Sequence, residues 1–286
     1  MTFGGNMMLP QFYVDDVIKR SIEEDINYID LATDLLLDDD KKDRAEFVAK
    51  DDGIIAGIDV ALRVFRLLDD TIVTDRLISD GCAVKKGDII ASVEGSVKTI
   101  LKGERTALNL LNHLSGVATA TGRLVAEAKK YGKARIVDTR KTTPGLRALE
   151  KYAVTAGGGF NHRFNLSDAA MLKDNHIDAY GSITKAVQTL RGKIGHMAKI
   201  EVEARTMEDM LEAIECGADV IMLDNMNCEQ MAECVKVCSG RAVLEASGNI
   251  DINTVGAVAA TGVDIISSGA ITHSAKVLDI SLKIRK

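Results

Sequence analysis

"KIEVEARTMEDMLEAIECGADVIMLDNMNCEQMAECVKVCSGRAVLEASGN", residues 199–249, alternates two periodicities. The runs IEVEA, VIMLD and VLEAS are short and mostly apolar, as strands covered on both faces are. Between them, MEDMLEAIECG and CEQMAECVKVCSG space their apolar residues along one helical face, and each stops near a glycine. Glu203, Asp224 and Glu245 recur 21 residues apart, one strand–helix unit each. Such alternation builds a parallel sheet through right-handed crossovers.

The pattern extends in both directions. Strands are expected at ARIVD (134–138), AAMLKD (169–174), KIEVEA (199–204), DVIMLD (219–224), RAVLEASG (241–248) and VDIISSG (263–269), with a further helix at INTVGAVAATG. Each carries a charged residue at or next to its end, or closes in Ser-Gly. In α/β barrels the C-terminal strand ends carry the chemistry. A closed eight-stranded barrel takes about 250 residues, more than follow residue 134. An incomplete or distorted barrel is therefore expected, with an open doubly wound sheet as the alternative.

Upstream, residues 10–30 read as a helix. Residues 44–70 read as a strand, a turn at Asp52-Gly53 and a helix, and residues 71–102 as short strands between glycine turns. Residues 104–130 read as a long amphipathic helix, interrupted at Ser115-Gly116. The KKGD…VEG rhythm also suits a small β-sandwich carrier of biotin or lipoyl groups, but Lys98 lacks the sequence context of an attachment lysine.

Composition narrows the function classes. The formal net charge is −6, which argues against a general nucleic-acid binder. The N-terminus lacks the cationic and apolar regions of a signal peptide. No uncharged apolar run reaches the roughly 20 residues that a bilayer demands. Five cysteines, an odd number, read as free thiols of a cytoplasmic protein rather than as disulfides or a metal site.

Within this acidic chain, DTRKTTPGLRALEKYAVTAGGGFNHRFNLSDAAMLKDNH (138–176) gathers Arg140, Lys141, Arg147, Lys151, Arg163 and Lys173, with His162 and His176. Arg147 and Lys151 read as surface ion-pair partners. Arg140, Lys141, His162, Arg163 and Lys173 fall at strand ends or beside the glycine run, so a barrel would collect them at one mouth. Grouped cations repel unless an anion joins them, and Arg grips carboxylate and phosphate through a planar fork. Glu203 and Asp224 end adjacent strands and suit a hard cation such as Mg2+ shared with substrate phosphates. ASGN (246–249) and SSGA (267–270) end the last two strands, where barrels commonly bind phosphate. AGGGF reads as a flexible connector or a ligand loop. No Cys or Ser nucleophile with a nearby His is evident, so transfer chemistry driven by positioning and charge fits best.

ERTALNLLNHLSGVAT, DTRKTTPGLRALEKYAV, GGGFNHRFNLSDAAMLKDNH, IEVEA, IMLDN, LEASGNI and GAITHSAKVLDISL together resemble the quinolinate phosphoribosyltransferase family, from about residue 24 to the C-terminus. Ala156 and Ser268 depart from the family pattern without removing a charge. The resemblance implies an α/β protein. Its N-terminal α/β sandwich would span 1–115, joined by the C-terminal tail 271–286, and an incomplete, six- or seven-stranded α/β barrel would span 116–270. It implies a homodimer or higher oligomer with shared active sites, Arg105 reaching into the neighbour's site.

Quinolinate would be held by Arg105, Thr139, Arg140, His162, Arg163 and Lys173. Phosphoribosyl pyrophosphate would be held by Lys141, Ser247, Gly248, Asn249, Ser268, Gly269 and His273. Lys141, Lys173, Glu203 and Asp224 would serve catalysis, Glu203 and Asp224 also holding Mg2+. The products would be nicotinate mononucleotide, pyrophosphate and CO2. The nearest alternatives are a related protein on the same scaffold, one acting on another pyridine acid or associated with molybdenum transport. A carrier or binding module is the alternative from a different class.

Overall fold

A computed structural model describes residues 9–38 and 41–284 of the 286-residue chain. The first half runs α1 (Gln11–Asp25), α2 (Leu31–Leu36), β1 (Lys42–Ala49), β2 (Gly53–Ile54), α3 (Ile58–Leu68), β3 (Val73–Arg76), β4 (Ala83–Val84), β5 (Ile89–Ser96) and α4 (Val97–Ala128). It continues through β6 (Arg135–Val137), α5 (Arg147–Ala156), β7 (Ala170–Leu172), α6 (Asp174–Tyr180), α7 (Ile183–Arg191), β8 (Ile200–Ala204), α8 (Met207–Glu215) and β9 (Val220–Asp224). Last come α9 (Cys228–Cys238), β10 (Val243–Ser247), α10 (Val255–Ala260), β11 (Ile265–Ser267), α11 (Ala270–His273) and β12 (Ile280–Ile284). Two compact units form. So far as their residues are described, one comprises Met1–Gly122, Thr143–Gly158 and Ser274–Lys286, the other Arg123–Thr142 and Gly159–His273.

The first unit is built on an antiparallel sheet in the order β12-β1-β5-β3. The C-terminal strand thus pairs with the first one, Phe47 lying opposite both Leu282 and Ala91. Helix α3 covers this sheet: the Phe47 and Phe65 rings meet edge to face at 6.1 Å, and Ile58, Ile90, Ile100 and Leu111 are fully buried. Two sequence expectations change here. Helix α4 starts at Val97, with Ser96 Oγ 3.5 Å from Thr99 N in the capping position. The β-branched Val97, Thr99 and Ile100 had disguised that first turn as strand. It then runs unbroken through Ser115-Gly116. Ser115 Oγ accepts from Ala56 N at 3.1 Å, and a Cβ on Gly116 would stand 2.3 Å from the Lys276 carbonyl oxygen. The dipeptide admits neighbouring backbone rather than breaking the helix.

Gly157, which caps α5, plays a similar part: a Cβ there would lie 2.4 Å from the Ala118 carbonyl oxygen. The start of the glycine run is therefore a packing contact, not a slack connector. Lys151, read from sequence as a surface residue, is fully buried on α5. Lys98 sits in the first turn of α4, not at a hairpin tip, which removes the carrier reading.

The second unit holds six parallel strands in the order β6-β11-β10-β9-β8-β7. Strand order climbs without reversal, and the first strand, β6, lies beside the last, β11. That is the winding of a barrel; a doubly wound sheet reverses direction midway. Between the edge strands β6 and β7, Phe160 forms a one-residue bridge to Val137 where a further strand would stand. The register puts Val202, Ile221 and Leu244 in one buried row on the face that takes the helices. Glu203, Met222 and Glu245 are aligned on the opposite face, with Asp224 beside Ser247 one step further along. Helices α6 and α7 fill residues 174–191, which the apolar pattern does not announce.

Candidate active site

Asp138, just past β6, is fully buried. Its Oδ1 accepts from His162 N at 2.9 Å and its Oδ2 from Asn161 Nδ2 at 2.6 Å. With Asp138 N donating to the Phe160 carbonyl at 3.2 Å, this latch sews the 160–163 segment to the end of β6. Two consequences follow from the chain direction. His162 turns inward, and Arg163 comes close enough to Arg140 for their charges to interact. Burial first, then the like charge of Arg140, lowers the Arg163 pKa. Arg163 Nη1 donates to the Ala169 carbonyl at 2.7 Å, while Arg140 is exposed.

Strand ends β7 and β8 are tied by Lys173 Nζ donating to Glu203 Oε2 at 2.8 Å. Asp224 closes β9, and its Oδ2 accepts from Asn225 Nδ2 at 2.8 Å. Asn225 adopts a left-handed φ of 54° and donates its backbone N–H to the Ser247 carbonyl. Its side chain occupies the space beside Gly248: a Cβ there would sit 2.3 Å from Asn225 Oδ1, at a φ of +107°. Asn249 follows at φ 51°.

At the end of β11, a Cβ on Gly269 would lie 3.0 Å from Lys141 Cδ and 3.1 Å from His273 Nε2. Gly269 thus lets two basic side chains close over backbone. Thr272 Oγ1 donates to the Lys141 carbonyl at 2.7 Å and holds that arrangement. Ser268 is buried; its Oγ donates to the Ile250 carbonyl at 2.9 Å, so its hydroxyl proton is committed to the fold. Thr139 is half-buried, its Oγ1 accepting from Lys141 N at 2.9 Å. Arg105 is exposed on α4 in the first unit.

The interior of the second unit contains a group that sequence reasoning did not select. His162 Nε2 lies 3.0 Å from Glu201 Oε2 and 3.6 Å from Glu245 Oε2. Among the described residues this is the one trio of His, Cys, Asp or Glu whose donor atoms all lie within 4.8 Å; Glu203 and Asp224 belong to no such trio. Glu201 and Glu245 are buried, and Oε1 of each lacks a hydrogen-bond partner. Burial first, then the Glu201 charge, pushes the Glu245 carboxyl up to about 7. The signals were present: Glu201 precedes Glu203 by two, hence shares its face, and Glu245 keeps the 21-residue period.

A barrel mouth that carries four cations, two strand-end carboxylates and two glycine loops suits a polyanionic substrate pair. Comparison with known proteins agrees. The family models for the quinolinate phosphoribosyl transferase N-terminal and C-terminal domains match residues 30–115 and 117–283. A Synechocystis protein named "Probable nicotinate-nucleotide pyrophosphorylase (carboxylating)" is 45% identical over 278 residues, covering 96% of this chain and 94% of that one. A Bacillus subtilis protein of the same name is 46% identical, covering 91% and 90%. The crystal structure of NadC from Streptococcus pyogenes superposes with a TM-score of 0.93 at 42% identity, covering 98% of this chain and all of that one. Both domain models in order, and relatives matched over nearly their whole length, leave one assignment: the chain belongs to the quinolinate phosphoribosyltransferase family.

Proposed function

We propose that this chain transfers the phosphoribosyl group of phosphoribosyl pyrophosphate to the ring nitrogen of quinolinate and releases one carboxylate as CO2, forming nicotinate mononucleotide and pyrophosphate in NAD biosynthesis. The observation that carries this reading is the Arg140–Arg163 pair. Two like charges near enough to repel at a partly buried mouth are unfavourable in the free protein and become favourable when a dianion lies between them. Arg140, Arg163 and Lys173, with the partner subunit's Arg105, supply that grip; Thr139 and His162 complete the lining.

Phosphoribosyl pyrophosphate takes the other half of the mouth. Its phosphates approach backbone at Ser247, Gly248, Asn249, Ser268 and Gly269, where the glycines leave room, and Lys141 and His273 supply positive charge to the leaving pyrophosphate. The pyridine nitrogen attacks the anomeric carbon as the bond to pyrophosphate breaks. Glu203 and Asp224, carboxylates at neighbouring strand ends, stabilise the oxocarbenium character of that transition state in this reading. Attack leaves the ring nitrogen cationic. The bond from the adjacent carbon to its carboxylate then breaks, CO2 departs, and that carbon takes up a proton.

Glu203 and Asp224 also fit Mg2+ as hard oxygen donors on neighbouring strands, completed by substrate phosphates. Once bound, the ion neutralises charge on pyrophosphate. Each carboxylate already has a protein partner, Lys173 or Asn225, so substrate oxygens would have to supply the rest of the ion's ligands. The assembly is a homodimer or larger with shared sites. All five cysteines are free, as in a reducing cytoplasm. No described helix is long and apolar enough to cross a membrane.

Labelled CO2 release from carboxyl-labelled quinolinate tests the reading. It should require phosphoribosyl pyrophosphate; pyrophosphate release with nicotinate but not quinolinate would reject it. Mixing inactive Arg105→Ala with inactive Lys173→Ala subunits should restore part of the activity if sites are shared.

A further inference from the structure

The His162–Glu201–Glu245 trio has the spacing of a metal site, and its hydrogen bonds argue against one. His162 Nδ1 accepts from the Arg163 backbone N–H at 2.8 Å. That nitrogen therefore carries no proton, and a neutral imidazole keeps its single N–H on Nε2. Nε2 faces Glu201 at 3.0 Å and Glu245 at 3.6 Å, where the proton has an acceptor. A metal on Nε2 needs the proton on Nδ1, donated outward to a partner. Here it would point at another donor, the Arg163 N–H. The distances suit a cation; the tautomer does not.

We propose that Glu201 and Glu245 are positioning residues: they hold His162 as the neutral Nε2–H tautomer, and His162 Nδ1 in turn fixes the backbone of Arg163 at the site mouth. His162 contributes geometry and no charge. The cationic grip on a dicarboxylate falls to Arg140, Arg163 and Lys173.

The surroundings agree. Asp138 accepts from His162 N at 2.9 Å, so the residue is held at its backbone, at Nδ1 and at Nε2. The groups facing Glu245 are Glu201 from β8, His162 from the bridge segment, Ser267 from β11 and Asp138 just past β6. None of these is an Arg or Lys; the Arg163 charge acts on Glu201, the other acid of the pair. Burial and the Glu201 charge raise the Glu245 pKa to about 7 against the lowering that a charged His162 would exert; a neutral His162 gives up that lowering, and a proton retained on Glu245 removes the repulsion between the two acids. It also gives one of their unpartnered oxygens a use.

The test has three arms on the intact protein. Long-range 1H–15N spectra of histidine-labelled enzyme, with the His162 signal assigned by its loss in His162→Gln, should show a pyridine-like Nδ1 and a protonated Nε2 at pH 7. An Nδ1–H tautomer or an imidazolium would overturn the proposal. Added Zn2+ or Mn2+ should leave that signal in place; stoichiometric binding that moves it and disappears in Glu245→Gln would also overturn it.

The kinetic arm rests on the quinolinate reading. Glu245→Ala should raise KM for quinolinate about tenfold while KM for phosphoribosyl pyrophosphate changes less than about twofold, as expected for a misplaced arginine worth ~1.4 kcal/mol. Glu245→Gln, isosteric with the protonated acid, should restore the lower value. Equal rises in both KM values, or no rescue by Gln, would sink the positioning role. Failure to turn over quinolinate would reject the substrate reading and leave the spectra to decide the tautomer.

Discussion

Each unit buries a glutamate against a histidine, and the two pairs behave in opposite ways. In the first unit Glu150 is fully buried on α5, with Oε1 2.8 Å from His113 Nε2, and Thr143 N donates to both its oxygens at 3.2 and 3.3 Å. Burial alone would raise its pKa, but the His113 and Thr143 hydrogen bonds outweigh burial and lower it. In the second unit Glu245 is likewise closed to solvent and lies deeper in the protein, yet it faces another acid, and one oxygen has no donor. Its pKa rises. Burial is common to both; the supply of donors differs. A buried acid whose donors are complete is structural, and one left short marks a place where protons and charges are arranged for work.

The sharpest way to break this contrast is mutation at both glutamates. Glu150→Ala empties a fully buried site and removes the partner of His113 Nε2 and of the Thr143 N–H, and should cost about 3 kcal/mol of stability in denaturant titrations. Glu245→Gln should cost less than about 1 kcal/mol at pH 8, because it replaces a carboxylate that the fold disfavours. Equal losses would erase the distinction.

Next in size is the catalytic contrast between arginines. Arg163→Ala or Arg140→Ala should lower kcat/KM for quinolinate by about two to three orders of magnitude. Arg147→Ala, on α5 in the first unit, should change it by no more than about twofold. Comparable losses would displace the anion site from the barrel mouth.

Stability against pH tests the same pair with opposite signs. For Glu245, with an ordinary value of 4.5 raised to about 7, the stabilisation is full below about 4.5 and is lost as pH rises through about 7. The loss should be on the order of 3 kcal/mol and should be absent in Glu245→Gln. For Glu150 the stabilisation is full above about 4.5 and is lost as pH falls through its lowered pKa. Melting temperatures of wild type, Glu150→Gln and Glu245→Gln from about pH 2 to 8.5 separate the two.

The smallest effect compares glycines. Gly87, φ +99°, has nothing within 4 Å of an added Cβ, so Gly87→Ala should cost roughly 1 kcal/mol in backbone strain and leave kinetics unchanged. Gly248→Ala carries similar strain and displaces Asn225 as well, so KM for phosphoribosyl pyrophosphate should rise several-fold. An unchanged KM would argue against that loop as a phosphate site.

Much of the second unit was legible in the chain. All six expected strands occur, each within a few residues of its expected ends, because short apolar runs closed by glycine and charge leave few alternatives. The strand-end residues Lys173, Glu203 and Asp224 could be named because parallel strands all end on one side of the sheet. The first turn of α4 and the burial of Lys151 were not legible. Both depend on what packs against those segments, and periodicity does not carry that information.

By itself the sequence determined the alternation of strands and helices, the acidic balance and the collection of cations between residues 138 and 176, since these follow from local spacing and composition. Tertiary structure decided that β6 lies beside β11, that Asp138 latches His162, and that Glu201 and Glu245 meet an imidazole inside the second unit. Glu201 and Glu245 are 44 residues apart and His162 comes from a third place in the chain. Their meeting depends on strand order and on which face each side chain takes, and the hydrogen-bond partners that set a tautomer or a pKa exist only after the chain has closed around them.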